Sequence, residues 1–226
     1  MEAKIKEIFP SIQGEGLVIG CKQLFIRFCG CNLKCKYCDT DFKSEGGISY
    51  LPENLVNRIV SNYDLATFHS ISLTGGEPLL HAEFLKEFLI LLKKKSDVKI
   101  YLETNATLAD ELALIKDYVD IVAADIKLNS SSGTDTFYLH RKFFEKCNGV
   151  KTFAKVVFDE NITEDEVSKC TQMAKDFDIE LILQPKMVED KPSVDADFCE
   201  KIMDKFTSQY KNTRLIPQMH KFLNIR

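Results

Sequence analysis

Strand-like and helix-like stretches alternate along most of this 226-residue chain, and the alternation constrains its fold more than any other feature. Alternating apolar and polar residues mark strands at 3–9, 22–28, 69–73, 98–102, 120–124, 152–158, 179–183 and 214–216. Amphipathic stretches of helical length lie between the later strands, at 52–63, 81–95, 108–118, 134–146, 163–177 and 194–206. Repeated strand–helix–strand units make right-handed parallel crossovers. The expected class is therefore α/β, either an open doubly wound sheet or a complete or partial strand–helix barrel. A complete eight-unit barrel takes roughly 250 residues, so the chain fits a partial (incomplete) TIM-like βα barrel. No linker or fixed-period repeat divides it, which predicts a single domain over 1–226.

Thirty Lys plus Arg against 34 Asp plus Glu give a net charge of −4, which argues against a general nucleic-acid binder. Apolar runs fall far short of the roughly 18 residues of a membrane helix. The start, Met1-Glu-Ala-Lys-Ile-Lys-Glu, carries charge where a signal peptide is apolar, so a cytoplasmic protein is expected. Of eight cysteines, those at 21, 29, 31, 35 and 38 crowd together while the others stand singly. That asymmetry points to a metal site rather than a disulfide framework.

In either architecture the loops at the carboxyl ends of the strands gather chemistry. The unusual polar and glycine-rich segments do follow strands: Gln13-Gly14-Glu15-Gly16, the cysteine loop from Cys29, Thr74-Gly75-Gly76-Glu77-Pro78, Glu103-Thr104-Asn105, Asp125-Ile126-Lys127 and Gln184-Pro185. They are expected to share one face. The sharpest is Cys31-Asn-Leu-Lys-Cys35-Lys-Tyr37-Cys38, a C-x-x-x-C-x-x-C run. Structural zinc normally takes four protein ligands, and no fourth Cys or His follows at finger spacing. A redox C-x-x-C leaves Cys31 unexplained. An iron–sulfur cluster held by three thiolates keeps one iron open.

This spacing resembles the signature of the radical S-adenosylmethionine enzymes, in which the open iron chelates the amino and carboxylate groups of S-adenosylmethionine. The resemblance implies a [4Fe-4S] cluster on Cys31, Cys35 and Cys38. It implies that the Gly76-Glu77 segment holds the cofactor's amino group. Asn105, Asp125, Ile126, Lys127, Gln184 and Pro185 would make its ribose, carboxylate and adenine contacts, with Tyr37 beside the adenine and Asp39 in the same set.

The opening Ile8-Phe-Pro-Ser-Ile12-Gln13-Gly14-Glu15-Gly16, the strand segment Phe25-Ile-Arg27-Phe, the Cys38-Asp39-Thr40 continuation and the ending Pro217-Gln218-Met-His220 resemble the 7-carboxy-7-deazaguanine synthases. That subfamily makes a deazapurine of queuosine biosynthesis by radical ring contraction of 6-carboxy-5,6,7,8-tetrahydropterin with loss of ammonia. The resemblance covers nearly the whole chain. It implies substrate contacts from Ile12, Gln13, Gly14, Glu15, Arg27, Thr74 and His220, and a magnesium ion on Thr40. An amide and a carboxylate can read an amino-pyrimidinone edge, and an arginine can clamp a carboxylate. It further implies a homodimer and an electron donor such as flavodoxin or ferredoxin, with no nucleic acid or membrane partner. The tail after His220 is short, so terminal carboxylate contacts are not carried over. Asp125-Ile-Lys127 stands where some members have Ser-Pro-Lys and also occurs in glycyl-radical-enzyme activases, the alternative enzyme. A zinc-binding module using Cys29, Cys31, Cys35 and Cys38 is the non-enzymatic alternative.

Elsewhere the residues suit structural roles. His69, His81 and His140 are expected to be structural or exposed, Cys21, Cys29, Cys147, Cys170 and Cys199 to pack as small apolar groups, and Lys93-Lys94-Lys95 to cap a helix.

Overall fold

The structure, a computed structural model, describes residues 1–36, 38, 45–188 and 190–225. Its main sheet has nine strands. They are β1 (Ala3–Ile12), β2 (Lys22–Phe28), β3 (Ile48–Tyr50), β4 (Ser70–Gly75), β5 (Lys99–Thr104), β6 (Ile121–Ile126), β7 (Lys151–Phe158), β8 (Glu180–Pro185) and, after a small hairpin of β9 (Met187–Val188) and β10 (Lys191–Pro192), β11 (Thr213–Leu215). The spatial order is β11-β8-β7-β6-β5-β4-β2-β1-β3. From β2 to β11 every neighbouring pair is parallel, whereas β1 runs antiparallel to both β2 and β3.

This order decides between the two architectures left open by the sequence. The parallel strands are laid down in one direction with no reversal, so there is no switch point of the doubly wound kind. Right-handed crossovers then put every long helix on one side of the sheet. The helices are α1 (Pro52–Asn62), α2 (Ala82–Lys93), α3 (Ala109–Ile115), α5 (Phe137–Lys146), α6 (Glu164–Phe177) and α7 (Ala196–Gln209), with single turns α4 (Asn129–Ser132) and α8 (Met219–Phe222). Edge strands β11 and β3 do not meet, so the barrel is partial, as expected.

Alternation along each strand divides the sheet into two faces. Leu24, Ile26, Ile71, Leu73, Ile100, Leu102, Val122, Ala124, Ala154, Val156, Leu181 and Leu183 point outward into the main core with the helices. Each fully buried Leu, Ile or Val among them contributes about 1.5–3 kcal/mol over exposure. The opposite parity faces the lumen in two layers. Tyr101, Ile121, Ala123, Phe153 and Ile182 form an apolar floor with Val18. The next residues of that parity, Glu103, Asp125, Lys155 and Gln184, are polar. Thus one strand pattern supplies both the packing that fixes the sheet and the polar floor of a cavity.

Several boundaries differ from the expected ones. The first strand runs on to Ile12 because it forms a hairpin with β2 in which Ile12 pairs with Lys22. The helix expected at 134–146 begins at Phe137, after a separate turn at α4, and α3 stops at Ile115 where a 3-10 turn takes over. The hairpin also moves the Gln13 loop. Since β1 is antiparallel to the rest, this loop emerges at the opposite end of the sheet from the other five segments, and it folds across the inner face with Val18 against Tyr101 and Phe153.

Candidate active site

A cavity of about 570 Å³ lies on the inner face, where the Gln13 loop, the strand-end loops and the C-terminal segment meet. Cys31, Cys35 and Cys38 open onto it, as do Ile12, Gln13, Gly14, Glu15, Arg27, Thr74, Gly76, Asn105, Asp125, Lys127, Gln184 and His220. The structure therefore brings together candidate residues spread over more than 200 positions of sequence. Tyr37, Asp39 and Thr40 lie outside the described residues. Glu77, Ile126 and Pro185 do not line the cavity. Ile126 packs into the outer core, so at this position only the main chain is left for a ligand.

Glu77 departs most from its expected role. It is fully buried, and its carboxylate accepts bonds from Leu79 N (3.0 Å), Thr104 Oγ1 (2.8 Å) and Asn105 N (2.7 Å). Burial pushes its carboxyl up to about 7 despite those bonds. The side chain is thus a brace between the glycine turn and the turn after β5, rather than an open partner for an amine. Gly75 makes that turn possible: its φ is +131°, and a Cβ there would overlap the main chain of Phe28.

Asn105 carries the brace onward to the cysteine loop. Its Nδ2 donates to Asn32 Oδ1 at 2.8 Å and lies 3.8 Å from Cys31 Sγ, while Leu33 N donates to the same sulfur at 3.4 Å. Burial raises the thiol pKa of both Cys31 and Cys35. Donors aimed at a sulfur stabilise it as a thiolate, the form a metal takes. Among the described residues no three Cys, His, Asp or Glu side chains converge on a single-ion site. The donor set nevertheless fits the cofactor pair: three thiols lining the cavity, and with them the buried Gln184 Oε1, which has no hydrogen-bond partner among the described residues. An unpaired buried acceptor of this kind is costly and suits a ligand N–H.

The floor is a charged network. Lys155 Nζ donates to Glu15 Oε2 and lies 3.4 Å from Asp125 Oδ1, while Lys127 Nζ is 3.0 Å from Asp125 Oδ2. Gln218 Nε2 donates to Glu15 Oε1 at 2.6 Å. Burial alone would raise the Glu15 carboxyl, but Lys155, helped by Gln218 and His220, outweighs it and holds the pKa at about 2. Burial likewise works against the Lys155 ammonium, yet Asp125, Glu15 and Glu103 keep its pKa well above the usual lysine value.

Gln13 has a different part from the one expected. Its Nε2 donates to Gln23 Oε1 (2.9 Å) and Glu103 Oε1 (2.7 Å), and its Oε1 accepts from Glu15 N (3.0 Å). Both amide hydrogens are therefore committed within the protein, one to the Gln23 amide oxygen and one to the Glu103 carboxylate. Thr74 Oγ1 donates to Glu103 Oε2 at 2.9 Å. Arg27 donates through Nε to Glu7 Oε1 at 2.7 Å. The C-terminal segment closes over the Gln13 loop, with Met219 N donating to Gly14 O at 2.9 Å. A Cβ on Gly14 would come within 2.7 Å of His220 Cβ and main-chain N, so only glycine admits the tail here.

No motif marked Lys155, and Glu103 and Gln218 entered only as members of the Glu103-Thr104-Asn105 and Pro217-Gln218-Met-His220 segments, without a role of their own. Lys155 left a signal: it is a charge on the lumen-facing parity of a strand whose two faces are both covered. His140 is structural, as expected, but it joins two loops of the site. Its Nδ1–H donates to Ala106 O (3.0 Å), and its Nε2 accepts from Lys127 N (3.0 Å) and Thr136 Oγ1 (2.8 Å). Of the thiols expected to be buried, Cys29, Cys147 and Cys170 are, whereas Cys21 and Cys199 are half-buried.

Burial lowers the His140 pKa to about 4. A base with a depressed folded pKa takes its proton more readily when unfolded, so its stabilisation is complete above about pH 6.5 and is lost as pH falls towards 4. The gap in unfolding free energy between the wild type and His140→Phe is expected to shrink by about 3 kcal/mol across that window. Urea midpoints at several pH values measure it, and a pH-independent gap would contradict the assignment.

The description of the radical SAM superfamily matches residues 25–157, more than half of the chain. A 7-carboxy-7-deazaguanine synthase of Geobacter sulfurreducens is 34% identical, over 98% of this chain and 97% of the relative. One of Archaeoglobus fulgidus is 36% identical over the full length of both. QueE from Escherichia coli shares the fold, with a TM-score of 0.68 at 22% identity, over 97% of this chain and 95% of that one. By these matches the chain belongs to the radical SAM superfamily and, within it, to the 7-carboxy-7-deazaguanine synthases.

Proposed function

We propose that the protein converts 6-carboxy-5,6,7,8-tetrahydropterin to 7-carboxy-7-deazaguanine with loss of ammonia, as a step of queuosine and 7-deazapurine biosynthesis. The observation that carries this reading is the convergence of both chain ends and the cysteine loop on one cavity, in a chain similar over its full length to synthases of that name. Bound to Cys31, Cys35 and Cys38, a [4Fe-4S] cluster with S-adenosylmethionine supplies a radical able to take hydrogen from carbon 6 of the pterin.

The chain's own residues position and shield the reactants. Glu15, held ionised, accepts N–H bonds from the amino-pyrimidinone edge, and Gln13 fixes its direction. Because Arg27 spends Nε on Glu7, its terminal nitrogens are available for the bidentate fork that a carboxylate takes. His220 and the tail cover the Gln13 loop and exclude water. Gly76, Asn105, Asp125, Lys127 and Gln184 line the cavity and would hold S-adenosylmethionine, together with the main chain at 126 and 185.

Magnesium bound through Thr40 would orient the substrate carboxylate, in the manner of a hard ion completed by water and ligand oxygens. A reductant such as flavodoxin or ferredoxin would supply the electron, and the enzyme would act as a cytoplasmic homodimer. Among the described residues no helix is long and apolar enough to cross a membrane. Thr40→Ala is expected to keep its iron yet lose magnesium-stimulated turnover, and unchanged stimulation would remove Thr40 from the metal site. Ammonium measured against deazapurine tests the reaction itself: a one-to-one yield is expected, and deazapurine without ammonium would contradict it.

A further inference from the structure

We propose that Lys155 reads the ring oxygen of the substrate and so sets the enzyme's preference for a 2-amino-4-oxo ring over a 2,4-diamino one. The proposal rests on the reading above that the cavity takes a carboxylated tetrahydropterin. Lys155 stands on the inner face of β7, just above the apolar floor, is only 5% exposed and lines the cavity. A buried ammonium is held in place only by partners. Here they come from distant parts of the chain, Glu15 of the Gln13 loop and Asp125 at the end of β6.

The donor arithmetic leaves one bond to make. An ammonium has three N–H donors and no acceptor, whereas a carboxylate only accepts. One lysine N–H donates to Glu15, the ammonium pairs with Asp125 Oδ1 at 3.4 Å, and no further hydrogen bond from Lys155 forms among the described residues. The cavity therefore presents acceptors at Glu15 and Glu103 beside a donor at Lys155. An amino-pyrimidinone edge carries the complementary order, with amino and ring N–H donors next to a ring carbonyl. Exchanging that oxygen for an amino group sets N–H against N–H and leaves the lysine donor unmatched.

A lysine that merely held Glu15 in place would affect both ring types alike when replaced, so the informative readout is their ratio. The test is equilibrium dialysis of the cluster-loaded protein with S-adenosylmethionine, using 6-carboxypterin and 2,4-diaminopteridine-6-carboxylate. Neither has a hydrogen at C6 to lose. The wild type is expected to bind the oxo ligand roughly 30-fold or more tightly than the diamino one, the value of a hydrogen bond to a charged group. Lys155→Met is expected to shrink that ratio about tenfold, the remainder coming from the ring N–H that the diamino ligand lacks. Should that variant not fold because Glu15 and Asp125 lose the ammonium between them, Lys155→Met with Asp125→Asn restores the charge balance, and the same ratio is expected.

A wild type that binds both ligands within threefold, or a variant that weakens both while keeping their ratio, would overturn the proposal alone. Failure of the wild type to bind either pterin would overturn the functional reading and this proposal with it.

Discussion

Replacing Cys35 by alanine is expected to abolish turnover and to lower iron after anaerobic reconstitution from about four per chain to less than one. Two thiolates cannot hold the face of a cluster that three share, and no other thiol substitutes readily. Cys29 is 4% exposed just after β2, and Cys21 precedes the opposite end of that strand. Cys35 itself is only half-buried, so the fold is expected to survive, with an unchanged far-ultraviolet circular dichroism spectrum. Cys31→Ala and Cys38→Ala are expected to behave in the same way. A Cys35→Ala protein that keeps about four irons and its visible absorbance would show that this thiol is not a ligand.

The second large effect is expected at Glu15. In Glu15→Leu, Lys155 keeps Asp125 but loses its closer partner, and Gln218 loses its acceptor. Breaking a buried pair from one side typically costs about 3 kcal/mol, which a shift in urea midpoint would show. Substrate-dependent kcat/KM should fall roughly 100-fold or more, since a charge-assisted bond to the pterin is lost as well. The wild-type carboxyl titrates near 2 rather than 4.5. Its contribution is therefore full above about pH 4.5 and disappears as pH falls towards 2, so between pH 5 and 8 the penalty should be constant. A penalty that vanishes within that range would contradict an ionised, lysine-paired Glu15.

The parts of this architecture that were legible in the sequence are those set by local pattern. Outward Leu, Ile and Val at period two, with amphipathic helices between, announced parallel crossovers, and the cysteine spacing announced a cluster. What escaped was set by topology. Nothing local says that β1 turns back antiparallel, and that reversal carries Gln13 and Glu15 across the inner face instead of onto the strand-end rim. Lys155 belongs to no motif, and its partners, Glu15 and Asp125, lie far away in the chain. Glu77 and Gln13 were assigned to ligands from their motifs, yet the structure spends their polar atoms on Asn105, Thr104, Gln23 and Glu103. A motif names which loop matters, and only the hydrogen-bond pattern tells which of its atoms remain free.

The central claim is that one cavity joins cluster-based radical chemistry to a carboxylated tetrahydropterin. It is tested most directly by anaerobic turnover of the reconstituted protein with dithionite, magnesium, S-adenosylmethionine and 6-carboxytetrahydropterin, following 5'-deoxyadenosine and 7-carboxy-7-deazaguanine together by mass spectrometry. The account predicts that both products form, the deazapurine only when the pterin is present. Deoxyadenosine without deazapurine, from protein holding about four irons per chain, would contradict the assigned substrate.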